Sequence, residues 1–255
     1  MNPEHSIKKL ERGCGRLRRR GYAALRALSL AAVGCAILPV TTAGVHGDVP
    51  EKVYTYSVNH PTHGNIGTYR NGIVDSGAQV VVRNEIRVQV KVLVVVAHEE
   101  ASDSREMWRS GRLISFSGVT QENGRKTVVT GEAEGPKFVV ETPQGPKEAP
   151  ASVYPSNPWS RAILKAKVLL GTKSGNLYRV HTGAGEPRSV VVGEKTIATE
   201  YFKVEGDAQY ELWFDERGVA VKFTEIDKNG VITFNLVEET VQPANASAAT
   251  STPRG

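Results

Sequence analysis

Two histidines and a run of acidic residues are the first groups in this chain that could do chemistry. His60 and His63, in the segment HPTHG, could both reach one metal ion. A zinc site uses three or four ligands, the segment supplies two, and His98 and His181 could join only through folding. The pair therefore predicts a polar hairpin turn, and we expect no metal and no cofactor.

The acidic run HEEASDSRE, residues 98–106, contains four carboxylates. Paired carboxylates carry out acid–base or glycosidase chemistry only when the fold sets their separation. The glycine and the spacing of an EF-hand calcium loop are absent. The run is therefore predicted to be a solvated turn.

Other catalytic patterns are missing from the sequence. It contains no G-x-S-x-G esterase motif, and the glycines of SGNLYRVHTGAGEP lack the order of a phosphate-binding loop. We therefore predict no catalytic residue, and we expect a binding protein rather than an enzyme.

The three tryptophans, Trp108, Trp159 and Trp213, are the remaining candidates for a site. Large aromatic side chains usually pack in a core, because each buries a large apolar area. The alternative is that they line a pocket for an apolar ligand. We take the three as candidate ligand-binding residues and packing as the competing interpretation.

The start of the chain reads as a secretory signal peptide over residues 1–47. A basic stretch is followed by the apolar run Ala27–Val40 and then by small residues, with cleavage after Ala43 or Gly47. The apolar run is shorter than the roughly 20 residues that span a bilayer, so a retained anchor is the alternative and membrane contact is expected only through this leader. The arginines before Tyr22 leave general and twin-arginine export both open, and the predicted location is the periplasm or the medium.

Removing the leader changes the charge of the chain. Residues 1–47 carry eight Lys or Arg against two Glu, a net charge of +6, whereas the whole chain carries +5, so the remainder carries −1. Nucleic-acid binding needs a basic face on the folded domain, so no nucleic-acid partner is expected. Both cysteines, Cys14 and Cys35, also lie in the leader. The mature chain then has no disulfide.

The body of the chain, residues 48–241, is predicted to be one β domain, followed by a disordered tail over residues 242–255. In AQVVVRNEIRVQVKVLVVVAHE apolar residues alternate with polar ones, which is typical of one long half-buried strand. About a dozen strand-like runs and two Asn-Gly turn signals follow the same logic. Only SNPWSRAILKA is predicted to be a short helix, capped by Ser156 or Asn157.

A short pattern occurs twice, about a hundred residues apart. Its shared features are Glu106, Trp108, Gly111 and Phe116 in the first copy and Glu211, Trp213, Gly218 and Phe223 in the second. Each copy predicts a three-stranded antiparallel meander, with the two tryptophans at equivalent positions. We therefore predict a mainly β fold, in which two similar meander halves (residues 50–142 and 160–238) form one large curved antiparallel sheet or an open or closed barrel. A Pro-rich connection with one short helix joins the halves.

Several short motifs resemble one family in their order along the chain. They are Asn65-Ile66-Gly67, Glu106-x-Trp108 with Gly111 and Leu113, Asn157-Pro158-Trp159, and Leu212-Trp213-Phe214-Asp215. Together they resemble domain of unknown function family 6134, a group of exported Gram-negative bacterial proteins, over residues 53–236. The resemblance implies a secreted, mostly antiparallel β domain and no particular reaction.

These observations favour an envelope protein that binds an apolar or lipid-like ligand. The alternatives are a protein–protein interaction module of the cell envelope and a hydrolase whose acidic residues converge through folding. The oligomeric state is left open.

Overall fold

Sixteen β-strands form one sheet in the computed structural model, which describes residues 49–92, 95–227 and 230–243. The first eight strands are β1 (Glu51–His60), β2 (Gly64–Asp75), β3 (Val80–Val92), β4 (Val95–Arg109), β5 (Arg112–Glu122), β6 (Arg125–Glu134), β7 (Lys137–Glu141) and β8 (Lys147–Pro150). The other eight are β9 (Tyr154–Pro155), β10 (Val168–Leu170), β11 (Leu177–Thr182), β12 (Glu186–Val192), β13 (Lys195–Gly206), β14 (Gln209–Phe214), β15 (Ala220–Asp227) and β16 (Gly230–Gln242).

The strands follow the order β8-β7-β6-β5-β4-β3-β2-β1-β16-β15-β14-β13-β11-β10-β9, and β12 pairs with β13 beside this path. All described strand pairs are antiparallel except β9 with β10, which is parallel. The two edge strands, β8 and β9, are separated in the chain only by residues 151–153. The sheet therefore curls until its edges lie near each other without joining through strand hydrogen bonds, which confirms the mainly β, open curved architecture.

Alternation in β3 places its apolar side chains on the concave face of the sheet. Val82 is fully buried, Val90 is nearly so, and Ile86 and Val88 face the interior. The prediction of one long strand through residues 78–99 is wrong, because β3 and β4 pair antiparallel with Val92 opposite Val95. An all-apolar stretch can belong to a strand covered on both faces or to a hairpin, and periodicity alone does not separate the two.

The predicted solvated turn at residues 98–106 is also wrong. This segment forms the middle of β4, paired with β3 on one side and β5 on the other. Its polar residues divide between the faces: Asp103 is exposed, whereas Glu100 and Glu106 are buried.

The connection between the halves contains a 3₁₀ helix, Arg161–Lys165, instead of the longer helix predicted. Its cap is Ser160, whose side chain accepts a hydrogen bond from the Ala162 N–H. Neither Ser156 nor Asn157 caps it, since the Asn157 side chain is held by hydrogen bonds in the interior of the sheet.

The repeated pattern does form two similar meanders, β4-β5-β6 and β14-β15-β16. Each has a β-bulge in its second strand, where Ile114 of β5 and Val221 of β15 are the extra residues, opposite Met107/Trp108 and Trp213/Phe214. The bulges align Trp108 with Phe214, so the prediction that Trp108 and Trp213 are equivalent is wrong by one residue. One residue in a strand reverses the face to which a side chain points.

The predicted signal peptide, residues 1–47, and the predicted tail, except for the end of β16, lie outside the described residues. Within the described part of the chain, no helix has the length and apolarity needed to cross a membrane.

Candidate functional site

The concave face of the sheet encloses a cavity of about 630 Å³. Its apolar lining comes from β1, β2, β3, β15 and β16, on both sides of the β1–β16 pairing. These side chains are Val58, Ile66, Ile86, Val88, Val90, Phe223, Ile226, Ile232 and Phe234. Their arrangement follows from strand alternation, which sends every second side chain inward.

One end of the cavity is formed by hairpin ends. The β1–β2, β3–β4 and β5–β6 hairpins all turn at this end, because antiparallel neighbours reverse direction at each step. They place four polar side chains there, which we call the cavity mouth: His60, His63, His98 and Glu122. The rings of His60 and His63 lie 4.7 Å apart, as the HPTHG spacing allows.

A partly buried ion pair lies beside the mouth. Lys173 Nζ, from the turn after β10, donates to Glu100 Oε2 on β4 over 3.0 Å. Burial lowers the pKa of Lys173, but the nearby carboxylates, chiefly Glu100 and Glu225, outweigh this and raise its pKa above the usual value. The ammonium group therefore stays charged inside the cavity wall.

The inner end of the cavity is a hydrogen-bonded network centred on Glu106. The side-chain amides of Asn157 and Asn84 donate to Oε1 over 3.0 and 3.3 Å. The indole N–H groups of Trp108 and Trp159 donate to Oε2 over 2.8 and 3.0 Å. Four donors thus converge on one carboxylate that is fully buried.

Burial is the main influence on this carboxyl group. It raises the pKa of Glu106 to about 7, whereas the four hydrogen bonds act in the opposite direction and lower it. Burial without donors would cost far more, since an isolated ionised group in an apolar interior is strongly disfavoured. The network therefore stabilises the ionised form of Glu106. Because Asn157 and Trp159 donate to it, it also joins the connection between the halves to the sheet.

Asn157 is the junction between this network and the cavity. Its amide also donates to Asn84 Oδ1 over 2.7 Å, and its carbonyl oxygen accepts from the Tyr69 hydroxyl. Tyr69, Asn84 and Asn157 all line the cavity. Burial raises the pKa of Tyr69 well above its usual value, so this hydroxyl remains protonated and acts as a donor.

Two of the predicted tryptophans meet in this network. Trp108, on β4, and Trp159, in the connection, have ring centroids 5.6 Å apart, and Tyr154 packs against both. Through their ring contact and their shared acceptor, Glu106, the two tryptophans hold the connection between the halves against the end of the sheet opposite the mouth.

Trp213 lies on the other face of the sheet. Its ring packs against Tyr201 in a tilted arrangement with centroids 4.9 Å apart, and Lys222 lies 4.5 Å from its ring centroid. Arg188 lies 3.5 Å from the Tyr201 ring. The four side chains come one each from the consecutive strands β12, β13, β14 and β15 and pack in a row, which we call the outer ladder.

Among the described residues that line the cavity there is no tryptophan. The packing interpretation fits all three, although Trp159 is only half buried. The cavity lining itself follows the apolar alternation of β3, which was visible in the sequence. The burial of Glu106 was not, because its four donors come from segments up to 53 residues away.

A solved structure has a similar fold. The beta-barrel-like protein of domain of unknown function DUF1849 from Brucella abortus superposes with a TM-score of 0.52 at 10% sequence identity, covering 76% of this chain and 98% of that one. At this identity the likeness concerns the fold alone. None of the curated proteins compared with the chain matches it.

The interior network lies within the range of the chain that matches one sequence family. The family described as "Domain of unknown function (DUF6134)" matches residues 62–237. The matched range includes Glu106 and Trp108, Asn157 and Trp159, and the end of β14 with Asp215. Since the match covers more than half of the chain, the protein is a member of the DUF6134 family.

Proposed function

We propose that this protein binds an apolar or lipid-like ligand in the cavity of its curved sheet. The observation that carries the proposal is the cavity itself: about 630 Å³, walled largely by the nine apolar side chains named above, with polar groups at its two ends and along β4. Pockets for small molecules occupy roughly 300–1,000 Å³ and combine apolar walls with a few placed polar groups. An elongated molecule with an apolar body matches this distribution.

We further propose that the protein works outside the inner membrane, in the periplasm or the medium. The support is the order of basic, apolar and small residues over residues 1–47. N-terminal sequencing of the protein from its native cell should find a chain that begins near Gly44 or Asp48. An intact Met1 on membrane-bound protein would contradict this.

The ligand proposal is tested with the uncharged apolar fluorophore N-phenyl-1-naphthylamine. We expect saturable binding of one probe per chain. Val88→Trp fills the cavity from β3, where Val88 lines the wall, and should abolish the saturable signal. Val119→Trp is the matched control, because Val119 is 41% exposed and lies outside the cavity lining. Native mass spectrometry of protein from the exporting cell should then identify the natural ligand by mass.

Equal binding by Val88→Trp and the wild type would contradict the proposal, provided that both retain the same unfolding midpoint. So would the absence of saturable binding in the wild type.

A hydrolase is the second candidate, because His98, Glu100 and Glu122 converge at the cavity mouth. A Ser–His nucleophile requires contact between the two side chains. Ser102 is four residues from His98 along β4, which is roughly 13 Å at strand rise, and its hydroxyl is bonded to Thr120. We therefore expect no hydrolysis of p-nitrophenyl acyl esters above the buffer rate.

The third alternative, a protein–protein module that pairs through a sheet edge, has less support. The strands that end the path, β8 and β9, contain four and two residues and offer little backbone to a partner strand, so such a partner would have to use β12, which has seven residues and, among the described strands, pairs with β13 alone.

A further inference from the structure

Three side chains that could bind a metal ion lie together at the cavity mouth. His98 and Glu100 alternate along β4 and share a face, and Glu122 on β5 lies directly opposite Glu100 in the strand pairing. One ligand atom from each of the three lies within 4.8 Å of the others. The chain brings them together through a hairpin, so the 98–106 segment alone does not reveal the set.

The direct pairing of Glu100 with Glu122 is unfavourable without a cation. Like charges at directly opposite positions of an antiparallel pair destabilise a sheet. Lys173 offsets this in part, since its ammonium group bonds Glu100 Oε2. Lys173 approaches only one of the two oxygens, so it does not fully account for the arrangement.

The other oxygen of Glu100 points to a missing ligand. Glu100 is 7% exposed, and its Oε1 atom is buried with no hydrogen-bond partner among the described residues. A buried acceptor without a partner costs free energy, and such atoms in native proteins call for a water or an ion. A carboxylate oxygen within reach of an imidazole and a second carboxylate is a preferred ligand for a divalent metal ion.

The distance between His98 and Glu122 is compatible with a shared ion. His98 Nδ1 lies 4.0 Å from Glu122 Oε1, which is too long for a hydrogen bond. Zinc binds nitrogen and oxygen at roughly 2.0–2.2 Å, so two ligands on one ion lie about 3–4 Å apart. Both side chains are partly exposed and can adjust toward a common centre.

We propose that His98, Glu100 and Glu122 bind a divalent transition-metal ion of the Zn²⁺ class at the cavity mouth. The imidazole selects for such ions over Mg²⁺ and Ca²⁺, which prefer oxygen ligands alone. Lys173 holds Glu100 through Oε2 and leaves Oε1 directed at the metal. Three protein ligands leave a further position open, and this position faces the cavity.

The test is a calorimetric titration of the untagged, EDTA-treated protein with Zn²⁺ in the absence of any apolar probe. We expect one Zn²⁺ per chain at the site and a rise in the thermal midpoint, because an ion that binds only the folded state stabilises it. Glu122→Gln and His98→Asn should each weaken binding by more than the roughly 10–100-fold that loss of a merely supporting residue costs. Both positions are partly exposed, so the variants should fold.

Two control variants remove histidines that are not proposed as metal ligands. His181→Asn changes an exposed histidine that lies 3.8 Å from Glu205, a pair of similar type outside the cavity. The double variant His60→Asn/His63→Asn removes the other histidines of the mouth. Both controls should bind Zn²⁺ like the wild type.

Wild-type affinity in Glu122→Gln, loss of binding in the His60/His63 variant, or tighter binding of Ca²⁺ than of Zn²⁺ would each overturn the assignment. The titration uses no apolar probe and the probe assay uses no metal, so failure of either leaves the other standing.

Discussion

Trp108 and Trp213 come from the same repeated pattern, yet they lie on opposite faces of the sheet. Trp108 donates to a buried carboxylate and packs against Tyr154 and Trp159. Trp213 packs between Tyr201 and Lys222 in the outer ladder. Both are more than nine-tenths buried. The two tryptophans differ by one residue in their position relative to the β-bulge in the neighbouring strand, which teaches that similar sequence spacing does not fix which face a side chain occupies.

The largest expected effect comes from removing each indole in turn. Trp108→Ala should lower the free energy of unfolding by roughly 3–5 kcal/mol, the usual loss for a large core aromatic, and it also takes one donor from Glu106. Trp213→Ala should cost less, because no buried charge depends on it. Urea titrations of the two variants decide this. A larger loss for Trp213→Ala would show that the outer ladder is the more important element.

The interior site should add its own contribution to the pH dependence of stability, through Glu106. The pKa of Glu106 is raised to about 7, so between about pH 4.5 and 7 the folded protein holds a proton that the unfolded chain has released. The contribution of this group is therefore complete below about pH 4.5 and is lost as the pH rises through 7. At about 1.4 kcal/mol per pKa unit, the loss amounts to about 3 kcal/mol.

Comparison with Glu106→Gln cancels the other titrating groups. The free energy of unfolding of the wild type minus that of the variant should fall by about 3 kcal/mol between about pH 4.5 and pH 8. A difference that stays constant or grows with pH would contradict the raised pKa.

A smaller effect separates the hydrogen bond from the ring. Trp159→Phe keeps most of the aromatic packing but removes the indole donor to Glu106 Oε2. It should cost about 1.5–3 kcal/mol, the range for hydrogen bonds to charged groups. Trp213→Phe, the matched change in the outer ladder, keeps most of the ring contact with Tyr201 and should cost less. Similar losses in the two variants would mean that the buried bond adds little.

The smallest effect is expected at the outer ladder. Lys222→Met keeps the aliphatic stem over Trp213 and removes the charge. A cation–π contact at a partly exposed site contributes about 0.5–1 kcal/mol, so the unfolding midpoint should shift slightly. A loss above that of Trp159→Phe would reverse the ranking of the two regions.

The sequence predicted the features that depend on local patterns. The β-branched alternation of Val82–Val90 predicted an inward apolar face, and the Gly and Asn-Gly turns predicted the meanders. These signals persist in the structure because side-chain alternation and turn chemistry depend on neighbouring residues alone.

Features that depend on distant segments could not be predicted. The run 98–106 reads as solvated because it is charged, but Glu106 is buried once Asn157 and Trp159 supply donors from the connection. The bulges opposite Trp108 and Phe214 each put one extra residue into the following strand, and no residue type marks them in the sequence. The candidate metal ligands are adjacent only because β4 and β5 pair Glu100 with Glu122.

The pairing of the first strand with the last has a consequence for how the molecule forms. Glu51 on β1 lies opposite Gln242 on β16, so the most central pairing of the sheet joins residues from opposite ends of the described chain. Contacts of such long sequence separation are slow to form. During synthesis, β1 has β2 beside it early but lacks its second partner until nearly all of the domain has left the ribosome. The apolar wall shared by β1 and β16 is therefore completed late. Until then, the nascent chain exposes about half of the apolar cavity lining to its surroundings.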